Sequence, residues 1–265
     1  MGTDRTIFLA LAELERRYRM SDKRDRVNES LTRFELRCFS QHGEDGVIAE
    51  ILRRIGVRRQ FFVEFGAETG REGTCVFLAD VLGWSGVFIE GDETSCAALD
   101  RKYTVSRRVR TANEVVTPTN VEPLFAALGV PTEPDVLSID VDGQDYWIWD
   151  ALQNYRPRLL VIEFNALLAA GKRLVQPRGY DDPWDGTDYF GASLDALIAL
   201  GERKGYRLVH CELGAINAFF VREELVAGLF PGLEQVPQPH EPNYFMTGQH
   251  HPPDLTNRPY VDPLA

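Results

Sequence analysis

Cysteine is scarce in this chain, basic residues are outnumbered and no long apolar run interrupts it, and each shortage removes a class of function. The four cysteines, Cys38, Cys75, Cys96 and Cys211, are scattered and form no C-x-x-C pair. Neither a structural zinc site nor a disulfide framework is therefore expected; they read as buried thiols of a reducing compartment, and a cytoplasmic protein is expected. Lys and Arg number 29 against 40 Asp and Glu, a net charge of -11, which argues against nucleic acid as a partner because affinity for phosphate backbones comes mostly from basic side chains. The locally basic group Arg53, Arg54, Arg58 and Arg59 reads as a solvated helix end. The apolar run Ile7 to Leu11 is too short for a signal segment, and no stretch approaches the roughly 20 apolar residues that span a bilayer.

With 265 residues and 44% apolar composition, the chain suits one α/β domain with a full core plus additions. Ile7, Phe8, Leu11, Leu14 and Tyr18 fall near helical spacing, so an amphipathic helix over 5–20 is expected, followed by a polar connection over 21–33. A second helix carries Val47, Ile48, Ile51, Leu52 and Ile55 on one face. Strands over 61–66, 86–91, 108–116, 135–140 and 158–164 then alternate with helices over 73–82, 94–102, 120–128 and 146–154. That alternation predicts a parallel sheet with helices on both faces and a ligand beyond the carboxyl ends of the strands.

After a helix over 192–204 come two strand-like runs, Tyr206–Glu212 and Ala218–Arg222, joined by five residues. A connection so short permits only an antiparallel hairpin, since a parallel crossover needs a dozen or more residues. Eight of the fifteen prolines follow Leu229, which excludes regular helix or central strand there. The same tail holds Tyr244, Phe245, Met246 and Tyr260, enough apolar surface to pack on the body or on a partner subunit.

The run Phe61 to Asp92 carries the clearest chemistry: a strand ending in an acid, a glycine-bearing turn, a helix, and a second strand ending in Glu90. Gly66 and Gly70 let the backbone turn sharply and approach a ligand, and a carboxylate at Glu90 can take both hydroxyls of a ribose. The glycines do not follow G-x-G-x-x-G, and Glu64, Glu68 and Glu72 surround them. Such an acidic turn suits a cationic or neutral ligand rather than a pyrophosphate. This speaks against an NAD-dependent oxidoreductase, and the turn resembles the first motif of class I S-adenosylmethionine-dependent methyltransferases. The terminal hairpin is a second mark of that fold, a doubly wound, Rossmann-like seven-stranded α/β sheet in the order 3-2-1-4-5-7-6.

The fourth strand ends in Asp140, Asp142 and Asp145, and the fifth in Glu163 and Asn165. Charged groups that follow buried apolar strands are costly unless they sit at the strand mouths with partners. Asp140, Asp142, Glu163 and Asn165 are thus expected as oxygen ligands of Mg²⁺, which would orient a sugar's hydroxyls and acidify the one to be methylated. The alternative for Asp140 or Asp142 is a helix cap or a contact to the cofactor's amino group. A base is needed as well, and Asp142, Asp145 and His42 are the candidates. The loop 166–190 mixes Tyr180, Trp184 and Tyr189 with Arg178, Asp182 and Asp185, as an acceptor-binding lid for carbohydrate would.

Together Phe39-Ser40-Gln41-His42-Gly43-Glu44-Asp45, the Glu64 to Gly70 turn, LSIDVDGQDYW and IEFN resemble the sugar-directed O-methyltransferases: the FkbM-like group, the macrolide and aminocoumarin sugar enzymes, and actinobacterial methylmannose polysaccharide methyltransferases. The resemblance covers roughly residues 38 to 222. It implies Gln41 and Asp45 near the cofactor or substrate entrance, Glu64 and Gly66 at the methionine part, Glu90 on the ribose and Asn113 near the adenine. A helical extension over 1–35, a methyltransferase domain over 36–230 and a proline-rich tail over 231–265 are expected, and the need to bury the N-terminal helix and the aromatic tail points to a homodimer. Two departures, Gly73-Thr74-Cys75 after the turn and Asp142-Gly143 in strand four, leave the subgroup and the acceptor open. The alternative function is a non-catalytic cofactor-binding or assembly protein of the same fold.

Overall fold

The computed structural model describes residues 30–180, 182–230, 232–233, 236–244 and 250–265. The helix expected over 5–20, and Phe245 and Met246 of the tail, lie outside the described residues. Seven strands form one sheet: β1 (Phe61–Phe65), β2 (Ser85–Glu90), β3 (Val109–Asn113), β4 (Val136–Ile139), β5 (Leu159–Glu163), β6 (Tyr206–Cys211) and β7 (Asn217–Arg222). Their order is β3-β2-β1-β4-β5-β7-β6, the one expected for a class I methyltransferase fold. β1 to β5 are parallel, and β7 runs antiparallel between β5 and β6.

The central strands are apolar on both faces because both faces are covered. Along β1, Val63 and Phe65 join one core while Phe62 joins the other, and Ile89 and Phe88 of β2 divide in the same way. This period-two alternation follows from the pleat. Helices α1 (Glu44–Ile55), α2 (Val76–Asp80) and α3 (Glu93–Tyr103) cover the second core, with Ile48, Ile51, Phe77 and Leu99 inside it. Helices α4 (Val121–Ala127), α5 (Asp145–Ala151) and α6 (Leu194–Lys204) cover the first, burying Phe125, Trp149 and Leu197.

Local signals set the ends of these elements. Asp92 accepts a hydrogen bond from Ser95 N–H to start α3, and Ser193 accepts one from Ala196 N–H to start α6, which Gly205 closes in a left-handed conformation at φ 74°. Such side-chain caps satisfy amides that the first turn leaves unpaired. Helix α2 begins at Val76 rather than Gly73 because the N–H groups of Thr74 and Cys75 donate to the Glu64 carboxylate, each at 2.8 Å. In the turn between β6 and β7, the buried Glu212 carboxylate accepts the N–H groups of Gly214, Ile216 (2.7 Å) and Asn217 (2.8 Å). Asn217 in turn donates to Glu44 of α1 at 2.8 Å. Among the described residues, no helix is long and apolar enough to cross a membrane.

Candidate active site

A cavity of about 1060 Å³ opens at the carboxyl ends of the strands. The sheet order divides its floor: β1, β2 and the segment after β3 supply one half, while β4 and β5 supply the other. Helix connections leave the sheet in opposite senses from β1 and β4, so a crevice forms between them, as at the switch point of any doubly wound sheet.

In the first half, Gly66 follows β1 at φ 65°, and a Cβ there would stand 2.2 Å from the Asp140 carbonyl oxygen. Glycine is needed for two reasons, the left-handed backbone and the close passage of β1 against β4. Gly66→Ala is expected to force Asp140 aside and to cost about 2 kcal/mol from the backbone conformation alone, lowering the thermal midpoint by about 5 °C or more; calorimetric melting of the variant checks this. Glu90 ends β2 at 8% exposure. Its two oxygens accept Glu68 N–H at 2.7 Å and Asp92 N–H at 2.8 Å, which fixes the carboxylate while each oxygen keeps acceptor capacity for a ligand hydroxyl. Glu114, Val115 and Val116, past the end of β3, complete this wall.

In the second half, Asp140, Asp142 and Glu163 converge, with one carboxylate oxygen from each lying within 4.8 Å of the others. Asp142 holds a left-handed backbone at φ 55°, and the turn that carries it is fastened by Asp145, whose oxygens accept the N–H groups of Val141 and Gly143, each at 2.9 Å. Burial, followed by the charges of Asp142 and Asp145, holds the Asp140 carboxyl well above the usual carboxylate range. Glu163 is held well above it by burial and then by Asp140 and Asp142. Burial raises Asp142 too, and His251 opposes that rise. The Glu163 Oε2 atom is buried without a hydrogen-bond partner. Three crowded acids with an orphaned oxygen fit a hard divalent cation, which neutralises the repulsion and occupies the free lone pairs.

The other residues singled out from the sequence divide. Gln41 and His42 lie on the cavity wall, and burial holds the His42 imidazole below its ordinary value. Asp145, expected as a catalytic group, is turned away, fully buried and spent on the backbone, and burial pushes its carboxyl up to about 6. Asp45, expected at the entrance, lies under the 38–40 segment and accepts the N–H groups of Cys38, Phe39 and Ser40, each at 2.8 Å. Glu64 is spent on Thr74 and Cys75, and burial pushes it up to about 7. Gly70 packs against Leu99 and Asn113 donates to the Glu90 carbonyl at 2.9 Å, and neither reaches the cavity. Asn165 borders the cavity and is held in place: its Oδ1 accepts Leu167 N–H at 3.0 Å, and its Nδ2 donates to the Asp188 and Phe190 carbonyls.

The tail supplies one residue that the sequence did not single out, His251. Val261 pairs with Val175 in an antiparallel bridge, and the Tyr260 hydroxyl accepts Phe190 N–H at 3.1 Å. Arg258 lies over the Tyr189 ring at 4.4 Å, donates to Tyr180 at 3.1 Å and Thr187 at 2.8 Å, and pairs with Asp185 at 2.8 Å. This fastening brings His251 onto the cavity wall against the edges of Trp184 and Phe190, 5.0 and 5.6 Å between ring centres. Tyr180, Trp184 and Tyr244 add aromatic surface to the same cavity.

No protein-family model and no curated protein sequence matches this chain. Solved structures are similar to it in fold. The N-terminal domain of EvdMO1, with SAH bound, aligns over 79% of this chain and 94% of its own at 17% identity and a TM-score of 0.44. Aeropyrum pernix fibrillarin, with natively bound S-adenosyl-L-methionine, aligns over 63% and 67% at 12% identity and a TM-score of 0.40. An O-methyltransferase from Bacillus cereus, in complex with SAH, aligns over 59% and 66% at 18% identity and a TM-score of 0.33.

Proposed function

We propose that this chain is an S-adenosylmethionine-dependent O-methyltransferase, assisted by Mg²⁺, that methylates a hydroxyl of a sugar, an oligosaccharide or a glycosylated metabolite. The observation that carries this reading is the opening of Glu90 and the Asp140, Asp142 and Glu163 cluster into one cavity at the switch point of the sheet. A site for a ribose and a site for a hard cation then lie side by side.

Glu90 takes the ribose hydroxyls, and the bare backbone at Gly66 lets the rest of the nucleoside approach β1. Glu68, Glu90 and Glu114 give this half of the cavity a negative lining, which suits a ligand carrying a sulfonium and an ammonium and disfavours a pyrophosphate. S-adenosylmethionine, when bound, supplies the methyl group: the acceptor oxygen forms the new C–O bond while the C–S electron pair stays on sulfur. Asp140, Asp142 and Glu163 would hold a divalent cation, which would supply the acidification of a hydroxyl beside it. His251 takes the proton. It lies in the field of Asp142, whereas the charges acting on His42 are those of Glu44, Arg37 and Glu72, none of them at the acidic corner. Tyr180, Trp184 and Tyr244 offer flat faces to the C–H side of a sugar ring, and the rest of the rate comes from alignment.

Calorimetric titration with S-adenosylmethionine, with and without Mg²⁺, followed by a screen of sugar acceptors for S-adenosylhomocysteine release, tests this reading. Glu90→Ala is expected to raise the cofactor Kd by roughly 10- to 100-fold, since hydrogen bonds to a charged group contribute about 1.5–3 kcal/mol. Unchanged cofactor affinity in that variant would remove Glu90 from the ribose site.

A further inference from the structure

We propose that the segment Gln176 to Gly179 is a preformed recognition strap for an anionic acceptor, with Arg178 reading a carboxylate or phosphate on the sugar and Gln176 accepting a hydrogen bond from a neighbouring hydroxyl. This rests on the methyltransferase reading and specifies its acceptor. The cavity wall carries seven carboxylates, and among the described residues Arg178 is the one Lys or Arg on it. Arg178 is exposed at the cavity mouth, and no described carboxylate pairs with it. Its guanidinium instead lies 5.7 Å from the centre of the Trp147 ring, and among the described residues no acceptor takes up its fork of donors.

The backbone around it is held on both sides. Gln144 donates to the Pro177 carbonyl at 3.1 Å and accepts Gly179 N–H at 2.9 Å. Trp147 Nε1 donates to the Gln176 carbonyl at 2.8 Å, and Gln176 N–H donates to the Gly191 carbonyl at 3.1 Å. Positions 176, 177 and 179 are thus pinned by Trp147 of α5 and by Gln144 just before it, so little backbone entropy remains to be lost when a ligand docks. Gln176 itself is 3% exposed and borders the cavity. Its Nε2 donates to the Tyr189 carbonyl at 3.3 Å, while its Oε1 is buried with no donor. A buried acceptor without a donor is costly, and a ligand hydroxyl entering the cavity would satisfy it. One fork for an anion and one acceptor for a hydroxyl, two residues apart, match an acidic monosaccharide unit better than a neutral one.

Calorimetric titrations of glucose, glucuronate and glucose 6-phosphate into the full chain at one fixed Mg²⁺ concentration, each with and without S-adenosylhomocysteine, test the strap. At least one anionic sugar is expected to bind about tenfold more tightly than glucose, with the preferred probe telling carboxylate from phosphate. Arg178→Met should erase that preference while leaving the affinities for glucose and S-adenosylhomocysteine at wild-type values. Gln176→Leu should weaken all three sugars alike. The proposal is overturned if neither anionic sugar outbinds glucose, or if the preference survives in R178M. A lack of S-adenosylhomocysteine binding would instead count against the cofactor reading, and the sugar comparison without it still reads the strap.

Discussion

Glu163→Gln is expected to lower kcat/KM about 100-fold and to abolish any effect of Mg²⁺ on the thermal midpoint. Glutamine keeps the size of the side chain but removes one of three charges that face a common point. A catalytic metal contributes several kcal/mol, and the loss of about 3 kcal/mol through one missing ligand corresponds to roughly 100-fold in rate. The fold should survive, because Glu163 is destabilised where it stands: burial and the neighbouring Asp140 and Asp142 charges hold its carboxyl well above the usual range. Without a cation, the folded state keeps these protons more tightly than the unfolded chain does. Stability from Asp140 and Glu163 is then present at low pH and is lost as pH rises through their folded-state values. Mg²⁺ acts in the opposite sense, since it binds the deprotonated carboxylates and releases protons. Its stabilisation of the wild-type protein should therefore grow as pH rises, while E163Q shows none; differential scanning calorimetry at several pH values reads both. If the chain only binds cofactor or assembles with a partner, the substitution would be silent in every activity assay.

His251→Asn should lower kcat by about 10²- to 10⁴-fold, the span that a positioned general base contributes, with S-adenosylhomocysteine affinity unchanged. A structural role for the ring could produce part of that loss, because His251 packs against Trp184 and Phe190. Binding and melting separate the two. A lost base leaves the thermal midpoint and the acceptor's affinity at wild-type values, whereas a lost packing contact moves both. His42→Asn is the matching control: it lies on the same wall and should leave kcat in place, and a loss of that size in H42N alone would move the base to the 41–42 segment.

The fold was largely legible because its signals are local. Near-continuous apolar runs along β1 and β2, acids that stop such runs at Glu90 and Glu163, and a five-residue connection that permits only a hairpin are all patterns within a few residues. The choice among acids was not legible. Asp140 and Asp145 stand five residues apart in one motif, yet one opens on the cavity and the other is consumed by two backbone amides. What separates them is the left-handed turn at Asp142. The acids Asp45 and Glu64 were misplaced for the same reason: a carboxylate near a loop satisfies whichever N–H groups the folded loop leaves unpaired.

By itself, then, the sequence determined the strands, the terminal hairpin and the strand ends at which chemistry gathers, since hydrophobic periodicity and loop length act over short range; the order of the sheet came from the resemblance to class I methyltransferases. Only the tertiary structure decided which side chains share the cavity. His251 arrives there from a proline-rich tail that has no periodicity to read, carried by Arg258, Tyr260 and Val261 onto the loop 175–190. Those contacts join residues some 70 to 90 positions apart, and no pattern within either segment encodes the other.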